Sequence, residues 1–454
     1  MRQRLTERED KRRPLDPWSV DFRGRPLFVS GEVDTSAAYV RRFFLEEDAR
    51  ERDRFLAETS FEVEAFYSFG TALSIFAQVG LIWEEDVLGG AVEDVSDFYV
   101  ERGEMWLYSE ELFGLPLNFD VGRLDFEDER RWWWNTELDA ARLEWEADDW
   151  DVTIAIAREL GSERSDRSWV EPENDRVFRI LAEGSWDFAV DHGFEFFALH
   201  QRDHSPTERP GAVVSLERED DSDADLTWLG ARVMGVFDLG ARGLLGYWLD
   251  AGYVWGEEDF LEFDDISRSR SVLEEVIQRD VRGWGFDVGV QWLPDWAFEP
   301  RFFVAYAQGS GDSHPESGDD RAFRQTNLHD NEAGFGGVER FNAYGVLLDP
   351  ELSNLRILTL GAGISLLRSS SLDLVYHYYR QVDAAPFLRD ARIEADLTGR
   401  SRDIGHEVDL VLALEEWERL EFEFIVSAFR PGAAFGRFDG KWSYGGFFAA
   451  RYAF

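Results

Sequence analysis

The stretch "KWSYGGFFAARYAF", Lys441 to Phe454, decides how the whole chain is read. Counting back from Phe454, the residues Tyr452, Ala450, Phe448, Gly446, Tyr444 and Trp442 share one parity, with no charged side chain among them. A strand sends alternate side chains to opposite faces, so this parity makes one continuous greasy face that ends on an aromatic. A soluble alternative exists, a C-terminal edge strand with an apolar face. The rest of the chain decides between the two.

The same alternation recurs upstream far more often than any helical period. In "SFEVEAFYSFG" Phe61, Val63, Ala65, Tyr67 and Phe69 oppose Glu62 and Glu64. "GLPLNFDVG" sets Leu115, Leu117, Phe119 and Val121 against Asn118 and Asp120. "HEVDLVLAL" sets Val408, Leu410, Leu412 and Leu414 against Glu407 and Asp409, and "RLEFEFIVSAF" sets Leu420, Phe422 and Phe424 against Glu421 and Glu423. These runs match the roughly 9–11 residues of a tilted membrane-spanning strand. Their connections come in two sizes. "LPDW" and "EEWER" are short, whereas Ser162 to Asp175, Gln201 to Asp225, Glu257 to Asp280, Gly309 to Phe341 and Asp383 to Asp403 are long and polar. The expectation is all-β: a single transmembrane antiparallel up-and-down β-barrel with short periplasmic turns and long extracellular loops, over residues 18–454. Residues 1–17 read as a charged disordered tail.

"RRWWWNTELDAARLEWE", Arg130 to Glu146, fits this frame. Trp132, Trp133 and Trp134 are expected in an interfacial aromatic girdle, where indole keeps one edge wet. Leu143 and Trp145 are then lipid-facing, and Arg142, Glu144 and Glu146 face the lumen.

Composition narrows the function. The 454 residues carry 92 acids against 48 bases, a net charge of −44, and the only lysines are Lys11 and Lys441. Such acidity argues against nucleic acid, which needs clustered positive charge. The absence of cysteine excludes disulfides, thiolate nucleophiles and Cys-type metal sites. The N-terminus has no apolar core of a signal peptide, which fits a mature exported chain whose signal lies outside this numbering. No nucleophile elbow or phosphate-cradling loop is present. In "DDSDADL" the acids alternate, but Arg232 stands where an EF-hand needs its last glutamate, so no cofactor is expected beyond loose Ca2+ on acidic outer loops.

Several stretches resemble the alginate export family of outer-membrane barrels: "GRLDFEDERRWWWNTELDAARL", "AYAQGSGD", "FRQTNLHDN", "DPELSNL", "YHYYRQ" and "GHEVDLVLAL", in that order, then "FRPGAAF" and the last strand. The resemblance implies roughly 18 strands and passage of an anionic polysaccharide or related solute through an arginine-containing constriction. It points to Arg123, Arg142 and Arg324 as pore-lining, and strand parity adds Glu144 and His377, the latter on the inward parity of Asp373. Arg123 shares the parity of Val121, so it faces inward only if Gly122 allows a bulge. Guanidinium suits the task because it stays charged and binds carboxylate in a fork.

One departure matters. The family tends to place arginines on the inward parity of the strand before the late "PG" turn, and here those positions are Glu421, Glu423 and Ile425. Glu32, Asp34, Glu62, Glu64 and Asp120 are inward and acidic as well. A general or cation-preferring porin therefore stays open, as does a soluble β-rich carbohydrate-binding protein or glycosidase. The leading expectation is a non-enzymatic, monomeric channel of the bacterial outer membrane. Its partners are outer-membrane lipid and lipopolysaccharide, the transported solute, and the barrel-assembly machinery, which reads Tyr452 and Phe454.

Overall fold

The computed structural model describes residues 17–42, 45, 53–70, 72–88, 95–147, 149–205, 209–267, 269–314, 318–335, 337, 340–393 and 397–454. The tail expected at 1–17 lies, Pro17 apart, outside the described residues. Eighteen antiparallel strands form the wall. They are β1 Arg25–Arg41, β2 Arg54–Ser68, β3 Leu73–Leu88, β4 Val95–Ser109, β5 Leu117–Glu127 and β6 Asn135–Glu146. Next come β7 Trp150–Ala157, β8 Phe178–Ala189, β9 His192–Arg202, β10 Ser222–Asp238, β11 Leu244–Ser267 and β12 Arg270–Leu293. The wall ends with β13 Arg301–Gly309, β14 Leu355–Leu366, β15 Ser370–Gln381, β16 Asp403–Trp417, β17 Leu420–Pro431 and β18 Ser443–Ala453. Each pairs with its sequence neighbour, and β18 pairs with β1 from Glu32↔Ala453 to Arg41↔Tyr444, which closes the barrel. Closure leaves no free sheet edge, the condition for strands to cross a bilayer.

One rim carries tight turns, such as Val190–Asp191 between β8 and β9 and Glu418–Arg419 between β16 and β17. The other carries the long connections 158–177, 203–221, 310–354 and 382–402. The stretch Glu257 to Asp280, expected as a loop, is instead the paired ends of β11 and β12, which run on to Ser267 and Arg270. Its acids, in "WGEEDFLEFDD", masked the continuing alternation.

Alternation sorts the wall cleanly. Outward positions such as Phe61, Leu81, Leu143, Leu229, Val288, Leu374, Leu410 and Val426 are exposed and apolar, while their chain neighbours are mostly polar or packed inside. An apolar band around a closed barrel is the arrangement lipid requires and water penalises. The soluble alternative therefore falls. The outward aromatics are Trp83, Phe98, Trp186, Trp255, Trp284, Trp417, Trp442 and Tyr452, among others. At the closure seam the Phe454 ring rests on the outer face, 5.8 Å from both Trp18 and Phe61.

Candidate functional site

The interior is not an empty pipe. Residues 128–134, between β5 and β6, turn inward and meet the long 310–354 connection, which also folds into the barrel. Asp128 makes the turn: its Oδ2 accepts the backbone N–H groups of Trp133 at 2.7 Å and Trp134 at 3.0 Å. The three tryptophans are consequently 1–2% exposed. Trp132 stacks on Phe323 and donates from Nε1 to the Tyr344 hydroxyl at 2.7 Å; Trp133 stacks on Phe197. Room for Trp133 exists because Gly230 points inward without a side chain; a Cβ there would lie 1.8 Å from the indole. The girdle expectation for Trp132, Trp133 and Trp134 is thus corrected. Strand parity ends at Glu127, so it did not govern them.

The inserted segments are held by arginines, nearly all of them paired. Arg232 on β10 is 0% exposed and reaches Asp128 and Asp250 at 2.5 Å and Glu195 at 3.0 Å. Arg130 bridges Asp250 and Asp287, both at 3.0 Å. Within the wall itself, Arg301 on β13 holds Asp373 on β15 at 2.8 Å. Guanidinium can satisfy several carboxylates at once in a planar fork, which buried charges demand. A carboxylate anchors the far end. Glu407 on β16 accepts the N–H groups of Leu347 at 2.6 Å and Leu348 at 3.0 Å, with the Tyr379 hydroxyl at 3.2 Å.

This lattice absorbs most of the residues the sequence singled out. Arg324 is buried on Glu258 at 2.5 Å and Asp320 at 2.6 Å. His377 is 0% exposed, between Thr359 at 3.0 Å and Asp409 at 3.4 Å. Its placement as a solute contact is corrected: the inserted loop packs over that stretch of wall. Arg123 does face inward. Gly122 takes φ 141°, where a Cβ would meet the Met105 carbonyl at 2.0 Å, and β4–β5 pairing stops at Met105↔Arg123. Arg123 then binds Glu137 at 2.9 Å, Glu159 at 3.1 Å and Glu163 at 2.6 Å. Arg142 faces the lumen on Asp120 at 2.9 Å, with Glu144 at 3.4 Å. The three arginines are brought together with carboxylates, not with one another.

Space remains against the wall made by β17, β18 and β1–β6, and a further ≈ 320 Å³ lies beside β10 and β11 at Asp220, Glu258 and Arg324. One cavity, ≈ 690 Å³, has Arg54, Glu58, Glu84 and Glu423 on the wall side and Arg164, Glu332, Arg340 and Arg392 on the loop side. A second, ≈ 350 Å³, is bordered by Glu62, Gln78, Glu101, Arg123 and Glu163. Glu32 is the register partner of Glu62, and Glu58 that of Glu84. Like charges placed directly opposite cost a sheet stability. Arg451 is the most exposed counter-charge on this wall, 3.2 Å from Asp34 and about 4 Å from Glu32 and Glu421, with Arg54 and Arg102 half-buried on Asp86 and Asp139. Sequence reasoning found the acids by parity but missed Arg451, which alternates with Ala450 and Tyr452 and was there to be read. At the long-loop rim Asp203, Asp220 and Asp223 each bring one carboxylate oxygen within 4.8 Å of the others.

Glu351, in the inserted loop, supplies a pH test. It is 5% exposed, accepts the Gln325 N–H at 2.5 Å, and burial pushes its carboxyl up to about 8. A carboxyl raised on folding stabilises below its ordinary value of 4.5 and loses that contribution as pH climbs through about 8. The temperature at which the unheated gel form converts to the heated form should therefore be higher at about pH 6 than at about pH 9. Glu351→Gln should flatten that difference, and an unchanged profile in the variant would contradict the assignment.

Comparison with known proteins agrees with this architecture. Residues 1–444 match the family described as Alginate export. The Alginate production protein AlgE of Pseudomonas aeruginosa is 28% identical over 318 residues, covering 69% of this chain and 63% of that protein. AlgE of Pseudomonas syringae pv. tomato is 20% identical over 337 residues, 70% of this chain and 65% of its own. The chain thus spans under two thirds of either relative. Among solved structures, OccAB1 of Acinetobacter baumannii superposes with a TM-score of 0.57 at 9% identity, over 94% of this chain and 96% of that one. That likeness shows the fold alone. Family and fold are those of non-catalytic outer-membrane barrels.

Proposed function

Because the chain belongs to the alginate export family, we propose that it is a passive outer-membrane channel for a polysaccharide or related solute, with long loops outside, and that its open passage favours cations. The observation that carries the reading is the acidic wall of β17, β18 and β1–β4, a part of the lumen the inserted loop leaves uncovered. Two charges 4 Å apart interact by about 1 kcal/mol in water and about 4 kcal/mol at an effective dielectric of 20, so a carboxylate-lined narrow passage discriminates strongly. Anionic polymer would cross with its charge compensated by counter-cations. Of the arginines named by resemblance, Arg324 ties the inserted loop to the wall, Arg123 ties β5 to the 158–177 connection, and Arg142 braces β5 against β6. Transport is driven by gradient or by upstream machinery.

The second reading is an arginine-lined passage for an anionic polymer. It is favoured by family membership and by Arg340 and Arg392 on the loop side of the larger cavity. Flux into proteoliposomes separates the two. On the first reading, neutral oligosaccharides outpace uronate oligomers of equal length in about 0.01 M salt. The gap closes in about 1 M salt, where the screening length falls from about 30 Å to about 3 Å. Uronate oligomers entering fastest at low salt would establish the second.

A further inference from the structure

On the outer face of the barrel, four basic residues form one row on adjacent strands. Arg356 of β14 is the register partner of Arg380 on β15, and His406 of β16 is the partner of Arg430 on β17. His406 also pairs with Tyr378, two residues from Arg380. Ile357, Tyr379, Glu407 and Phe429, their chain neighbours, are buried inside, so the row points outward. Toward the short-turn rim the same outward parities continue as Leu360, Leu374, Leu410 and Val426, all exposed and apolar. The row therefore marks the edge of the lipid band on the long-loop side, at headgroup level.

What sets the three arginines of this row apart from those inside the barrel is that they are unanswered. Arg123, Arg130, Arg232, Arg301 and Arg324, inside the barrel, each hold a carboxylate. Among the described residues, none stands within 4.0 Å of the guanidinium of Arg356, Arg380 or Arg430, although the chain has 92 acids. The nearest acids by register do not close on the row: Asp403 stands opposite Arg380 in the β15–β16 ladder without an ion pair to it, and Asp383 binds Arg402 at 2.9 Å. Arg356 Nε has no hydrogen-bond partner. Two arginines directly opposite across a ladder repel unless an anion sits between them.

We propose that this row binds the phosphate of a glycolipid headgroup in the outer leaflet, of the lipopolysaccharide type. The phosphate oxygens lie between Arg356 and Arg380, with Arg430 at the far end of the row. Guanidinium forks match phosphate oxygens in pairs. Tyr376, whose hydroxyl is 2.6 Å from His406 Nδ1, and Tyr378 supply the amphipathic rings suited to the interface below. The exposed arginines Arg282 and Arg321 lack the feature: each stands 3.6 Å from an aspartate, Asp280 and Asp319.

The test is retention of lipid by the purified full chain in detergent. The probes are lipopolysaccharide, the same material dephosphorylated, phosphatidylglycerol and inorganic phosphate. The triple variant Arg356→Gln, Arg380→Gln, Arg430→Gln is compared with a control, Arg282→Gln, Arg321→Gln. All proteins are first shown to keep the fast unheated gel band. Lipopolysaccharide should bind wild type and control alike, and the triple variant at least about tenfold more weakly. Dephosphorylation should abolish the difference. Equal binding by the triple variant, indifference to dephosphorylation, or equal retention of phosphatidylglycerol or free phosphate would each overturn the proposal.

Discussion

Arg232→Met is expected to loosen the interior while leaving the wall closed. Arg232 is fully buried and satisfies Asp128, Asp250 and Glu195 together. Removing one member of a buried ion pair costs about 3–5 kcal/mol, because the partner left behind keeps its desolvation penalty without its counter-charge. Here three carboxylates are left, with Arg130 still on Asp250. Asp128 is the residue that holds the N–H groups of Trp133 and Trp134, so its disturbance propagates directly to the tryptophan turn. The variant should therefore show red-shifted tryptophan emission, a lower heat-conversion temperature on gels and a larger, noisier single-channel conductance. Arg232→Lys should fall between, since a point ammonium cannot serve three acceptors in a plane. A variant with wild-type emission and conductance would mean that the lattice does not seat the insertion.

How much of this was legible beforehand follows from range. The wall was legible because alternation is local: Val63, Leu143, Val408 and Phe424 declare their face within a few residues of chain. The acidic wall was legible for the same reason, through Glu32, Glu62, Glu421 and Glu423. The condition placed on Arg123 was also readable, since only glycine accommodates the φ of 141° found at Gly122. What escaped were contacts between distant segments. Trp133 fits only because Gly230 lies beneath it, and Arg130 meets Asp287 across 157 positions. Neither pairing leaves a local trace. Three tryptophans beside charged residues fit a girdle and an inserted turn equally well in sequence terms. Asp128, ahead of them, was the one hint of a capped turn. His377 failed for a related reason: inward parity says which face a residue occupies, not whether another segment covers that face.

The acidic wall carries the other large expected effect. Glu58→Gln, Glu62→Gln and Glu101→Gln remove three charges that border the two cavities without touching the arginines that seat the loop. Glu62 accepts a hydrogen bond from the Gln78 amide, which glutamine can still receive. Folding should be unaffected or improved, because Glu58 and Glu84, and Glu32 and Glu62, stand opposite as like charges. Selectivity should move far. A preference of about 1.4 kcal/mol corresponds to about tenfold in relative permeability, well within what three carboxylates at an intermediate dielectric supply.

The measurement to make is the reversal potential of the reconstituted wild-type channel under a potassium chloride gradient near 0.1 M, where screening acts beyond about 10 Å. The account predicts a cation-to-anion permeability ratio of about ten or more, falling toward unity in the triple glutamine variant. Anion preference in the wild type, deepened by the same substitutions and blocked by uronate oligomers, would contradict it and restore the arginines as the surface the cargo meets.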